Sequence, residues 1–137
     1  MALECTLVYE TMTAIPFTCA DSAGIAKGAV LMLSDPMTVA TATGDTDIVA
    51  GIAAEEKVAN DGNTSIAVYT RGYFKGFAGA AGVAVGAGLI TDVSTGAPNE
   101  IVSADVNSEN ILGRSLETAT DTQSFLFELH PFSVNLA

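Results

Sequence analysis

The chain has no tryptophan, one histidine, two cysteines and only five basic residues among 137. Each scarcity excludes something. Lys27, Lys57, Arg71, Lys75 and Arg114 are the whole basic complement, set against sixteen acids, for a formal net charge of -11. They are scattered along the sequence. A nucleic-acid binder neutralises phosphates with clustered lysine and arginine, and a chain this acidic is repelled by DNA, RNA and anionic lipid. No nucleic acid and no membrane is therefore expected as a partner. Cys5 and Cys19 form no CxxC pair, and His130 lies far from both in sequence. The three or four ligands of a zinc site are missing, so no metal and no cofactor is expected. The spacing leaves a Cys5–Cys19 disulfide open beside the alternative of two buried, reduced thiols.

Long hydrophobic runs are absent too. The stretch from Ala78 to Ile90 is broken by glycines at 79, 82, 86 and 88, and a bilayer span needs about 20 apolar residues. Glu4 stands where a signal peptide carries basic residues, so no secretory leader is expected. Yet 49% of the residues are hydrophobic and only 15% charged, a balance that excludes a disordered tail. The length fits one domain.

What is present reads as many short β-strands. Leu3–Tyr9, Ala29–Leu33, Thr38–Thr43, Ile48–Ala54, Ser65–Thr70, Gly72–Phe77, Leu89–Ile90, Ile101–Ala104, Ile111–Thr118 and Ser124–Leu129 are rich in β-branched and aromatic residues. Turn signals such as Ser34-Asp35-Pro36 and Asn60-Asp61-Gly62-Asn63 separate them. That punctuation is the rhythm of a sandwich or barrel. The one tempting helix, Ala78 to Val85, is undercut by its glycines.

An internal repeat stands out. Gly24-Ile25-Ala26-Lys27-Gly28-Ala29-Val30-Leu31 and Gly82-Val83-Ala84-Val85-Gly86-Ala87-Gly88-Leu89 both read G-(I/V)-A-x-G-A-x-L, 58 residues apart. Segments 37–43 and 100–104 follow in each half, then 48–53 and 111–116, then Ser65–Tyr69 and Ser124–Glu128. The reading is all-β: two similar β-units sharing one core, a single small barrel or sandwich over residues 17–137, with residues 1–16 as an extended N-terminal arm. Gly28 and Gly86 are expected where the chain turns sharply into a strand.

The candidates for chemistry are thin. The glycines from 76 to 88 match neither the GxxxxGK[ST] loop nor the dinucleotide fingerprint. No GxSxG elbow occurs, and His130, beside Pro131 at a strand end, is read as a rim residue rather than a general base; a small hydrolase or lyase would need it beside a carboxylate or serine in a pocket. Asp45 with Asp47, and Glu55 with Glu56, could be paired acids or calcium ligands, and Gly44–Asp47 and Asn60–Asn63 resemble calcium loops only in part; they are read as solvated turns. The group Tyr69, Arg71, Tyr73, Phe74, Lys75 and Phe77 is read first as core, and then as a protein–protein contact, because aromatics and arginine are enriched at interface centres.

Taken in order, the segments GIAKGAVLML, IVAGIAAEE, IAVYTRGYFKG, GVAVGAGLITD and ILGRSLETATDTQSFLFELHP resemble the capsid decoration (cement) proteins of tailed bacteriophages. The resemblance runs from about Gly24 to His130. It is one of strand order, with Ala29 and Ala87 standing where that family often carries an acidic residue. It implies a small β-barrel or sandwich with no catalytic site, forming a homotrimer on the outer capsid surface of the virion. There it clamps neighbouring subunits of the major capsid protein and stabilises the head, having been made in the host cytoplasm during assembly. The arm would then reach the shell, with Leu3, Cys5, Leu7 and Tyr9 as its capsid contacts through strand addition. Arg71, Tyr73, Phe74 and Phe77 would contact the other members of the trimer. The competing reading is a glycan- or receptor-binding β-sandwich module of a virion or cell surface, with Tyr73, Phe74 and Phe77 as its platform.

Overall fold

Alternating apolar residues between close-spaced turns give short strands, eleven of them among the described residues. The computed structural model describes residues 4–42, 48–91, 100–104 and 110–133. Among them are β1 (Thr6–Tyr9), β2 (Ile15–Cys19), β3 (Val30–Asp35), β4 (Thr38–Thr41), β5 (Val49–Ala53), β6 (Ser65–Tyr69), β7 (Gly72–Ala78), β8 (Gly88–Thr91), β9 (Glu100–Ser103), β10 (Asn110–Ser115) and β11 (Ser124–Ser133), and no helix. The tempting segment from Ala78 onward is a turn: its glycines hold it open, and Val83 bridges to Ala119.

The protein is all-β and built from two similar units, and each unit closes a barrel of its own. The first runs β2-β4-β3-β5-β6; the second runs β7-β9-β8-β10-β11, with β1 added outside β7. In both, the first and third strands are parallel and the remaining pairs antiparallel. Thr18 and Cys19 pair with Thr38 and Val39 in one, Phe77 and Ala78 with Glu100 and Ile101 in the other. The bridge Ile25–Lys57 has its counterpart in Val83–Ala119. Turn bonds repeat as well: the Gly28 N–H donates to Ala53 O at 2.9 Å and the Gly86 N–H to Ser115 O at 2.8 Å. Both glycines have φ of 81°, the left-handed region that only glycine enters without strain. Gly51 and Gly113 are a second matched pair. A Cβ on either would collide with the carbonyl oxygen of the neighbouring strand, Tyr69 in one barrel and Glu128 in the other.

The barrel interiors are filled differently. Phe17, Cys19, Ile25, Leu31, Val39, Ile66 and Val68 fill the first. In the second, the place of Phe17 is taken by Gly76, where a Cβ would lie 2.9 Å from the ring of Phe127 and 3.0 Å from Ile101. Phe127 stands where the first barrel has Val68. The bulky ring has moved from the first strand to the fifth, and its edge occupies space above Gly76 that a Cβ would claim, which is how a close-packed interior accommodates an exchange. Phe74, Phe127 and Phe125 form a chain of rings, with centroids 6.1 and 5.6 Å apart.

Only Thr70 and Arg71 separate the last strand of one barrel from the first of the next, so the barrels must touch. Val30, Ala42, Val49 and Ile52 alternate with the inward residues of the first barrel and so point out of it. They belong to one buried cluster with Phe74, Leu112, Phe127 and Leu129 of the second. Tyr69 meets Phe74 edge-on at 5.7 Å. The lead-in to β1 closes this seam: the Cys5 N–H donates to Gly28 O at 3.0 Å, and Cys5 is buried.

Candidate interaction site

The residues read as contacts converge on one region, the seam and the outer edge of β7. β1 pairs antiparallel with β7, with Thr6 opposite Lys75, Leu7 opposite Phe74 and Tyr9 opposite Tyr73. Strand addition by this segment therefore takes place within its own chain. Leu3 lies outside the described residues. Cys5 and Phe74, at 4% and 1% exposure, are core residues, so neither side chain offers a surface. Leu7 packs half-buried against the same core. Tyr9 is 63% exposed, and its ring meets the half-buried Tyr73 edge-on at 6.1 Å. Arg71 and Phe77 are half-buried. Of the residues read as contacts, Tyr9 alone among the described ones is exposed rather than half-buried or core; a cleft of about 220 Å³ is lined by Glu4, Cys5, Lys27, Gly28, Tyr69 and Phe74.

The two thiols sit in different cores, Cys5 at the seam and Cys19 inside the first barrel, and both are free. Burial, with Glu4 adding its charge, pushes the Cys5 thiol up to about 12. Burial also raises Cys19 above its ordinary value. Neither is poised as a nucleophile, since the thiolate is the reactive form.

The acidic turns have structural partners. The Lys57 ammonium is buried at the foot of the first barrel and donates to Asp61 Oδ1 at 3.1 Å, to the backbone carbonyls of Asp21 and Val58, and, at 3.5 Å, to Asp21 Oδ1. Asp21 Oδ1 in turn accepts from the Gly62 N–H, and Asp61 Oδ1 from the Asn63 N–H. Burial alone would lower the pKa of Lys57, but hydrogen bonds and charge from Asp61 and Asp21 outweigh it and hold the ammonium above its ordinary value. The Asn63 N–H, followed by Lys57, holds Asp61 below the ordinary carboxylate value. A lysine already fills the loop that resembled a calcium site. Glu55 accepts from the Ala67 N–H, and Glu117 from the Leu126 N–H in the second barrel, so this carboxylate closes the fifth strand in each unit. Asp45 and Asp47 lie outside the described residues.

His130 is exposed on β11, edge-on to Phe132 at 5.8 Å. It lines an open groove of about 540 Å³ with Gly88, Ile111, Arg114, Glu128 and Phe132. Arg114 and Glu128 form an ion pair at 3.3 Å. The sequence reading did not single out this groove. Its residues come from three strands, β8, β10 and β11, which pair only in the folded second barrel. Among the described residues, no three of His, Cys, Asp and Glu converge on a metal position.

This tandem-barrel arrangement has a solved counterpart. The chain superposes on the N base of head fiber gp8.5 in bacteriophage phi29 with a TM-score of 0.57 and 17% identity, over 90% of this chain and 99% of that one. The two share a fold. No family model matches the chain, and no curated protein does. The match spans both barrels, so it concerns their arrangement and not merely one small barrel.

Proposed function

We propose that this chain is a structural protein of a bacteriophage head, a decoration protein that binds the outer surface of the major capsid protein shell as a homotrimer and stabilises it. The observation that carries this reading is the whole-chain likeness to a head fiber base. Three features support it. The strand order resembles the cement proteins. Charge of -11 keeps the protein off nucleic acid. Its polar clusters are consumed in holding turns together, as the Lys57 clip and the Glu55 and Glu117 closures illustrate. The role proposed is one of holding neighbours together, with no bond made or broken and no cofactor, in the virion after assembly in the host cytoplasm.

The proposed shell contact is the β1 side. Tyr9 and Tyr73 present two rings with polar tips on an otherwise acidic chain, the residue type that anchors interfaces at low entropic cost. Each contact is weak alone; many copies on one shell add their effects. The test is co-sedimentation of the purified protein with expanded heads of the virus that encodes it. Binding is expected, and Tyr9→Asp with Tyr73→Asp should abolish it while leaving the far-ultraviolet dichroism unchanged. Wild-type protein that stays in the supernatant would refute the reading.

A further inference from the structure

The two barrels are equivalent in fold but not in surroundings, and the difference leaves one surface unmatched. Register alignment places Gly88 on Val30, Ile111 on Val49, Arg114 on Ile52 and Glu128 on Tyr69. Val30, Val49, Ile52 and Tyr69 are the residues with which the first barrel packs against the second. Their equivalents line the open groove on the second barrel. The same comparison holds at the turns. Gly28 is covered by Glu4 and Cys5, whereas nothing lies within 4 Å of the Cβ position of Gly86.

The seam is also asymmetric. It joins the outer β3–β5 face of one barrel to a different patch on the other, around Phe74 and Leu129. A contact between unlike patches is heterologous, and it leaves one of each patch available for another copy. Here these are the groove of the second barrel and, on the first barrel, the half-buried Ile15 and Thr70 that stand where Phe74 and Leu129 stand in the second. Met12 lies beside Thr70, with its sulfur 3.8 Å from the hydroxyl, and is 42% exposed.

We propose that the groove formed by Gly88, Ile111, Arg114, Glu128 and Phe132 binds the Met12–Ile15–Thr70 side of the first barrel of a second copy, repeating the internal seam between chains head to tail. The chemistry of the groove suits this occupant. Phe132, 46% exposed, supplies the apolar surface, and the buried Ile111 forms the floor beneath it. Arg114, one of the five basic residues in a chain of net charge -11, pairs with Glu128 at 3.3 Å inside the groove, so this patch adds no net negative charge between like copies. Substituting Arg114 and Glu128 for the buried Ile52 and the half-buried Tyr69 makes this seam more polar than the internal one. That suits a contact that forms between chains that first fold alone. The inference adds a surface to the trimer proposed above, and closure of the ring at three copies rests on that reading.

Light scattering after size exclusion on the full chain tests it. The wild type should be oligomeric, and Phe132→Glu and Gly88→Gln should each shift it to monomer. Gly88 tolerates a side chain in the folded monomer, because its nearest neighbours are at 3.7 Å from the Cβ position. Unchanged far-ultraviolet dichroism would show both variants folded. In mixtures of Phe132→Cys and Met12→Cys chains, oxidation should cross-link the two kinds to each other. An oligomer that survives both groove variants overturns this surface but leaves the trimer standing. Cross-linking of Phe132→Cys only to itself overturns the head-to-tail geometry. A wild type that is monomeric up to about 1 mM overturns the inference.

Discussion

At the scale of the residue, the account rests on positions where geometry leaves no choice. Gly51 and Gly113 face a neighbouring carbonyl so closely that a Cβ cannot fit. Gly51→Ala and Gly113→Ala should each cost about 1–3 kcal/mol through forced backbone shifts, read from urea midpoints. Phe127→Ala should cost more, about 3–5 kcal/mol, because the ring fills the void that Gly76 leaves. Cys5, buried with its pKa at about 12, should resist iodoacetamide at neutral pH in the folded protein and react after unfolding; rapid native labelling would contradict the seam. The glycine turns were legible because G-(I/V)-A-x-G-A-x-L keeps its spacing in both halves. The core was not, because Phe17 and Gly76 occupy one position in two barrels. A ring that changes strand between the barrels erases similarity within each strand.

At the scale of the element, the Lys57 clip ties the turn at Asp21 to the turn at Asp61, and the second barrel replaces it with Ala119 at the matching bridge. Asp61 is held below its ordinary value of 3.8, so its contribution is present above that pH and is lost as pH falls through the folded value. Lys57 is held above 10.5, so its contribution is present below that pH and is lost as pH rises through the folded value. The clip is therefore complete across the neutral range. Lys57→Ala should lower the melting temperature at pH 7, and the gap to wild type should narrow as pH falls through the folded value of Asp61, which lies below its ordinary one. A gap that is constant with pH would mean that the clip contributes only packing. Most strands could be read from their turns. β2 escaped because Pro16 interrupts a five-residue strand, and a proline demotes such a run. β11 runs past its expected end at Leu129 because Pro131 sits at a register shift against β10, where its missing N–H breaks no ladder. The matched segments Ser65–Tyr69 and Ser124–Glu128 align in the structure as they do in the sequence, whereas 48–53 is displaced by one residue against 111–116.

At the scale of the whole molecule, the repeat announces two units but not that each closes alone. That conclusion needs the unread β2 and its match to β7, without which the first half has only four strands. The halves nevertheless share a buried cluster across the seam, so heating should give one cooperative transition with equal calorimetric and van't Hoff enthalpies; two resolved transitions would mean the seam is weaker than its burial implies. The functional surfaces were the least legible part. Strand addition by β1 is satisfied within the chain, and the groove at Ile111 and Phe132 has meaning only by comparison with its buried twin. The most direct measurement of the central claim is cryo-electron microscopy of mature heads of the encoding virus. The account predicts paired five-stranded barrels, grouped in threes, on the outer face of the shell. Heads whose shells carry no such density, with the protein found elsewhere in the particle or only free in the lysate, would contradict it.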